Sequence, residues 1–185
     1  QKNIFFFKSG ALIASLEGKY AFEKLAVRKK LPRSLIVEYA EKQYAFIWQE
    51  GSSHYYVDDR GAIVAAASAE EISGQAYPLI INNSSSTISG DFITAPMEYI
   101  ESARGLNRLF MDHKPDFTLK NFLLDNEINT IKAVLDSGPL IYFNTREDIS
   151  QQFDKLLIIK QERIKDFFNR KTFIDLRFGD KVFYR

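Results

Sequence analysis

The stretch Phe173-Ile174-Asp175-Leu176-Arg177-Phe178-Gly179-Asp180-Lys181-Val182-Phe183-Tyr184-Arg185 decides how this chain is read. Two runs rich in aromatic and β-branched residues flank Gly179-Asp180, a two-residue loop whose glycine supplies the positive φ that tight hairpin turns demand. Strict alternation from that loop predicts Phe178 opposite Lys181, Leu176 opposite Phe183 and Ile174 opposite Arg185 on one face. Arg177 with Val182 and Asp175 with Tyr184 then occupy the other, and the first face is the one expected to be buried. The second strand has one neighbour through the hairpin. Its far side is either covered by a strand or helix, or left as a row of unpaired N–H and C=O groups that would template a partner strand.

Upstream of the hairpin, Thr145-Arg146-Glu147-Asp148 has a hydroxyl three positions before a carboxylate, which approximates a capping box. The helix it opens carries Ile149, Phe153, Leu156, Leu157, Ile164, Phe167 and Phe168, with a break expected near Lys160. Before it, Phe117 to Asp136 reads as two strands joined around Asp125-Asn126, followed by a strand from Pro139 to Phe143. Met97 to Phe110 has Met97, Ile100, Ala103, Leu106 and Phe110 at helical spacing, with Pro96 placed for a first turn. Asn82 to Gly90 is polar and reads as a loop. Ala45 to Trp48, Tyr55 to Val57 and Ala62 to Val64, separated by Glu50-Gly51-Ser52-Ser53 and Asp58-Asp59-Arg60-Gly61, predict a β-meander; Tyr77 to Ile81 adds a strand. The opening segment differs in pattern. Ser9 to Glu17 predicts a short helix capped by Ser9 and closed by Gly18, and Phe22 to Leu31 with Leu35 to Tyr39 predicts a hairpin turning at Pro32-Arg33-Ser34. The expected fold class is α+β, with a helix and hairpin over 1–43 and a mostly antiparallel β-rich domain with two main helices over 44–185.

Composition narrows the chemistry. The 185 residues are 45% hydrophobic and 26% charged, with 25 Lys+Arg against 24 Asp+Glu and no cysteine. Those values describe an ordinary globular chain and exclude disulfides, zinc-thiolate sites, iron–sulfur clusters and cysteine nucleophiles. No apolar run approaches the length needed to cross a bilayer. The chain begins at Gln1 and enters Ile4-Phe5-Phe6-Phe7 at once, which suggests a fragment of a longer protein. His54 and His113 are the only histidines. Asp112, His113 and Asp116 could offer metal ligands, but their spacing matches no established motif and a solvated loop explains them as well. No G-x-S-x-G elbow and no glycine-rich phosphate loop is present. Asp58-Asp59 and Glu70-Glu71 read as a turn and a polar surface. The expectation is therefore no catalytic residue, no metal and no cofactor. A hydrolase would need His54 or His113 gathered with a nucleophile in a pocket. Arg28-Lys29-Lys30-Leu31-Pro32-Arg33 is a local basic cluster open to three readings: plain solvation, an anionic membrane surface, or nucleic acid, for which no aromatic platform accompanies it. Asn82 and Asn83 each begin an N-x-S sequence.

Several of these segments, in this order, resemble the extracytoplasmic part of the bacterial cell-division protein family FtsQ, called DivIB in Gram-positive bacteria. Asn3-Ile4-Phe5 before a short helix is similar to the family's approach to the second helix of its polypeptide-transport-associated (POTRA) domain. Val27-Arg28-Lys29-Lys30-Leu31-Pro32-Arg33-Ser34-Leu35-Ile36-Val37 resembles its strand-turn-strand, and Glu41 sits where the family has E-R-x-P-x-A. Tyr56-Val57-Asp58-Asp59-Arg60-Gly61-Ala62-Ile63-Val64 is similar to its (L/V)-D-x-x-G-x-(V/L) hairpin, and Ile174 to Val182 to its terminal I-D-L-R-(F/Y) hairpin. There are departures. Lys42-Gln43-Tyr44 replaces R-x-P, which changes the stiffness of the link, and Asn144 stands where glycine is frequent, a change that left-handed backbone at Asn144 would accommodate.

The resemblance implies residues 1–43 as the C-terminal part of a POTRA domain and 44–185 as an FtsQ/DivIB-type β-domain. It implies a non-enzymatic divisome scaffold in septal cell-wall assembly, anchored by a single pass in the cytoplasmic membrane with this region outside it, at the division septum. The partners implied are membrane proteins of the FtsB and FtsL type, with no nucleic acid. An FtsB segment would add as a strand along Arg177, Phe178, Gly179, Asp180, Lys181, Val182, Phe183 and Tyr184, with Arg177 or the aromatic rings giving selectivity. The competing expectation is a POTRA-bearing secretion or outer-membrane assembly protein that binds client β-segments.

Overall fold

In the computed structural model, which describes residues 7–20, 22–41, 43–68, 72 and 77–185, the chain divides into two units, Gln1–Gln43 and Tyr44–Arg185. The Asn3-Ile4-Phe5 resemblance, Lys42 and Glu70-Glu71 lie outside the described residues. No helix of the described residues is long and apolar enough to cross a membrane.

In the first unit, helix α1 spans Ser9–Glu17 and the hairpin consists of β1 (Phe22–Lys30) and β2 (Ser34–Glu41). The expected cap is displaced: Lys8 occupies the N-cap position without a side-chain bond, and Ser9 is already inside the first turn. Gly18 closes the helix, its N–H donating to the Ala14 carbonyl at 3.1 Å. The hairpin pairs Leu25 with Tyr39, Val27 with Val37 and Lys30 with Ser34. Cross-strand contacts such as Phe22 on Tyr39, with ring centroids 5.8 Å apart, are what stabilise so narrow a sheet.

The second unit is built on a nine-stranded mixed sheet. Its strands are β3 (Phe46–Glu50), β4 (Ser53–Val57), β5 (Ile63–Ala67), β6 (Leu79–Asn82), β9 (Leu119–Leu124), β10 (Thr130–Leu135), β11 (Leu140–Asn144), β12 (Phe173–Phe178) and β13 (Lys181–Tyr184). Their order across the sheet is β13-β12-β11-β10-β9-β6-β3-β4-β5. The meander β3-β4-β5 turns at Gly51 and Gly61, both at positive φ. β6 runs parallel to β3 and β9 parallel to β6, while β12 runs parallel to β11. A short separate hairpin, β7 (Ile88–Ser89) with β8 (Phe92–Ile93), precedes helix α2 (Met97–His113); helix α3 (Ile149–Ile159) fills the crossover from β11 to β12.

Both helices pack on one face of the sheet because their apolar residues recur at i, i+3, i+4 and i+7. Ile100, Ala103, Leu106 and Phe110 of α2 and Phe153 and Leu156 of α3 are buried with Phe46, Trp48, Ile80, Phe122, Ile131, Phe143, Ile174 and Leu176 of the strands. Phe110 meets Phe153 edge-on at 5.0 Å. Each large side chain so buried contributes about 1.5–3 kcal/mol relative to exposure. The fold is α+β: a helix and hairpin, then a β-rich unit with two main helices.

Three local expectations are corrected. Pro96 precedes α2 at the N-cap position rather than inside its first turn. The Thr145–Asp148 box does not form: Asp148 is itself the N-cap of α3, its Oδ1 accepting the Gln151 N–H at 3.0 Å, and Thr145 Oγ1 is buried without a partner. Asn144 does not adopt left-handed backbone; it ends β11, and its Oδ1 accepts the Arg146 N–H at 3.0 Å to make the turn by side chain instead. Asn82 is buried, with its amide bonded to Ser84 and Ser86, so this N-x-S asparagine is part of the loop's scaffold. The break near Lys160 does occur, as one π-helical stretch (Lys160–Ile164) followed by a 3-10 helix (Lys165–Arg170).

The C-terminal hairpin departs from its expected register. Phe178 faces Lys181 across Gly179-Asp180 as expected, but farther along Asp175 faces Phe183 and Ile174 faces Tyr184. Residues Leu176 and Arg177 together oppose Val182, a β-bulge. Its cause is local: Asp175 Oδ1 accepts the backbone N–H of Arg177 at 3.1 Å and takes that group out of the ladder. Ile174 and Leu176 are buried as expected, whereas Phe178 and Phe183 are exposed.

Candidate partner-binding edge

β13 is the terminal strand of the sheet, and among the described residues no strand pairs with its outer side. Arg185 directs both backbone groups inward, its N–H to the Phe173 carbonyl (3.3 Å) and its carbonyl accepting the Thr172 N–H (2.6 Å). Alternation along the strand turns Phe183 and Lys181 the same way, leaving the N–H and C=O of Val182 and Tyr184 aimed outward. The free edge therefore has two donors and two acceptors spaced for one additional strand.

Side chains divide between the faces of this edge. Val182 packs against the core on the helix side. Phe178 and Phe183 are 52% and 51% exposed on the opposite, open face, with rings edge-to-face at 5.4 Å. Tyr184 is 42% exposed and carries the Lys171 ammonium over its ring at 4.9 Å. Residues 155–185 hold nine Lys/Arg against four Asp/Glu, whereas 44–154 hold seven against sixteen, and Lys171, Lys181 and Arg185 of the basic segment stand on or beside the edge. That polarity is readable from sequence by counting charge in segments, a signal that whole-chain neutrality hid.

Of the eight residues expected at the site, Arg177 is differently employed. Its Nε and Nη2 donate to Asp175 at 2.9 and 2.6 Å, and its Nη1 donates to Glu127 Oε2 at 2.7 Å and Thr130 Oγ1 at 2.9 Å. Four of the five guanidinium N–H groups are thereby satisfied within the unit. Hydrogen bonding to Asp175, opposed by burial, holds its pKa above the ordinary arginine range. The same network includes Lys132, which bonds Asp125 and Glu127 and lies 4.7 Å from the Tyr142 ring, on which Arg177 also rests at 5.0 Å. Lys155 of α3 reaches the hairpin, donating to the Gly179 carbonyl and, at 3.4 Å, to the Leu176 carbonyl.

The residues considered for chemistry are placed apart from this edge. His113, exposed at the end of α2, has Nδ1 3.1 Å from the Leu109 carbonyl and its ring against Phe153. His54 lies in β4 opposite Gln49 and Ala67. Asp116 pairs with Lys160, whose hydrogen bond lowers its pKa against a smaller opposing effect of burial. Among the described residues no three His, Asp or Glu side chains gather to hold a metal ion. A concavity of about 990 Å³ beside the end of α2 and the start of β9 is lined by Phe110, Met111, Lys114, Leu119, Lys120 and Asn121 among others, and neither histidine borders it. The basic cluster lies at the tip of the β1–β2 hairpin, where Arg28 pairs with Glu38 at 3.2 Å.

No protein-family model matches this chain. No curated protein matches it either.

Proposed function

We propose that this chain is a non-enzymatic docking scaffold that takes an extended partner segment by strand addition to the outer edge of β13. In this reading it is the extracytoplasmic part of a membrane-anchored divisome protein of the FtsQ/DivIB kind, and the segment comes from a small membrane protein of the FtsB or FtsL type. The observation that carries it is the outward-facing backbone of Val182 and Tyr184 on a sheet edge that has no neighbouring strand among the described residues. Main-chain pairing supplies affinity, the Phe178–Phe183 pair gives an apolar surface beside the added strand, and Lys171, Lys181 and Arg185 favour approach of a segment bearing carboxylates.

Backbone parity makes the mechanism testable by proline. Val182→Pro and Tyr184→Pro each delete an outward N–H and leave the β12 ladder intact, whereas Phe183→Pro deletes an inward one. Titration calorimetry with the extracytoplasmic segment of an FtsB-type protein is expected to show at least about tenfold weaker binding for Val182→Pro and Tyr184→Pro, each with an unchanged melting temperature. Phe183→Pro is expected to lower the melting temperature as well. Wild-type affinity in Val182→Pro and Tyr184→Pro would rule out strand addition.

A further inference from the structure

The bulge in β12 raises a hydrogen-bonding question: where do the polar groups of the peptide unit that leaves the ladder go? That unit joins Leu176 to Arg177. Its N–H is taken by Asp175 Oδ1 at 3.1 Å, and its C=O faces Lys155 Nζ at 3.4 Å. Both ends are thus satisfied by side chains, one from the strand itself and one from α3. Asp175, although buried, is held in place by the two-pronged bond from Arg177, whose Nη1 is tied to Glu127 and Thr130. The bulge is a built feature, bonded directly by Asp175 and Lys155 and backed by Arg177.

Its consequence appears at Phe178. By uninterrupted alternation Phe178 would share the buried face with Ile174 and Leu176. With the extra residue it turns to the open face, where its ring lies 5.6 Å from the Arg177 guanidinium and edge-to-face with Phe183. We infer that Asp175, Arg177 and Lys155 are positioning residues of the docking edge: they hold the Leu176–Arg177 bulge that brings Phe178 beside Phe183 and sets the path of β13. This role rests on β13 being the docking edge, whereas the hold on the hairpin does not.

Two variants separate these claims. Lys155→Met removes the anchor from α3 at a partly exposed position, and Arg177→Met removes the clamp on Asp175. Amide hydrogen exchange followed by NMR is expected to speed up about tenfold at Phe183 and Arg185 in both, the scale of one charged hydrogen bond, with the amides of Phe122 and Ile131 in the central strands unchanged. The Phe178–Phe183 ring contact is expected to weaken in the same spectra. Affinity for the FtsB-type segment is expected to fall about tenfold through a faster off-rate, with Arg177→Lys, which keeps the charge but loses the fork, falling between wild type and Arg177→Met. If exchange at Phe183 and Arg185 matches wild type and the ring contact persists in both variants, the positioning role is wrong. Equal acceleration in the central strands would overturn that role too, since it is loss of general stability. If the hairpin loosens while wild-type protein shows no binding to the segment, the hold on the hairpin stands and the strand-addition reading falls.

Discussion

At the scale of single residues, the ion network on the open face makes a statement about pH. Burial disfavours the charged forms of both Lys132 and Asp125. For Lys132 the bonds to Asp125 and Glu127 outweigh it, and for Asp125 the bonds from Lys132 and the Glu127 N–H with the Lys132 and Arg177 charges do, so Lys132 is raised above its ordinary 10.5 and Asp125 is lowered below its ordinary 3.8. A lowered carboxylate contributes stability that is present above about pH 4 and is lost as pH falls through its folded value. A raised ammonium contributes stability that is present below its unfolded pKa and is lost as pH rises through its folded one. Lys132→Met should therefore cost about 2 kcal/mol at neutral pH, between the values for exposed and fully buried pairs. Its deficit relative to wild type, followed as melting temperature, should shrink as the pH falls below 4 and through the lowered folded value of Asp125, where the carboxylate takes up a proton. A deficit constant from pH 7 down to pH 3 would assign the loss to packing alone. None of this pairing is legible in the sequence, because Lys132, Asp125, Glu127 and Arg177 lie on different strands and a connecting loop that only the folded sheet brings together.

At the scale of elements, turns and helical stripes are legible in the sequence and hydrogen-bond detail is not. Gly179 at φ +52 and the Ile100-Ala103-Leu106-Phe110 stripe follow from local stereochemistry and from the 3.6-residue period. The register beyond Phe178 is shifted by a bulge at which Asp175 takes the Arg177 N–H and Lys155, from another element, meets the Leu176 carbonyl, and no period encodes that. At the start of α3 the sequence pattern points to Thr145 for a part that Asp148 performs alone. Edge strands add a further consideration, since a free edge invites a second copy as readily as a partner. Lys181 stands on this edge with Lys171 and Arg185 nearby, and in an antiparallel pair of identical edges these cations would be brought together. Lys181→Val is accordingly expected to raise self-association, seen in sedimentation velocity as a concentration-dependent dimer absent from wild type at equal concentration. A monomeric variant would mean that something other than charge protects the edge.

At the scale of the whole molecule, the change of pattern around Gln43 is visible in the sequence, because a basic, exposed hairpin gives way to short apolar strands. The neighbours within the sheet are not visible there. β3 pairs with β6 and β6 with β9 in parallel, across intervening strands, a small hairpin and a helix, and runs of apolar residues announce strands without announcing partners. Among the described residues, the buried apolar cluster is drawn from the second unit. Trp48, the only tryptophan, is fully buried within it, with its Nε1–H donating to Glu50 at 3.1 Å, and Tyr44 stacks on Tyr56 at 4.3 Å. A chain running from Tyr44 to Arg185 is expected to unfold in one cooperative transition and to keep the blue-shifted emission of a buried indole. It should also bind the FtsB-type segment with an affinity within about twofold of the 185-residue chain, since every anchor of the β13 edge belongs to this unit and uncoupled sites leave one another's binding unchanged. A red-shifted emission, or a broadened transition, would show that the β-rich core depends on the helix and hairpin before it. Native emission with lost binding would place part of the docking surface in the first unit instead.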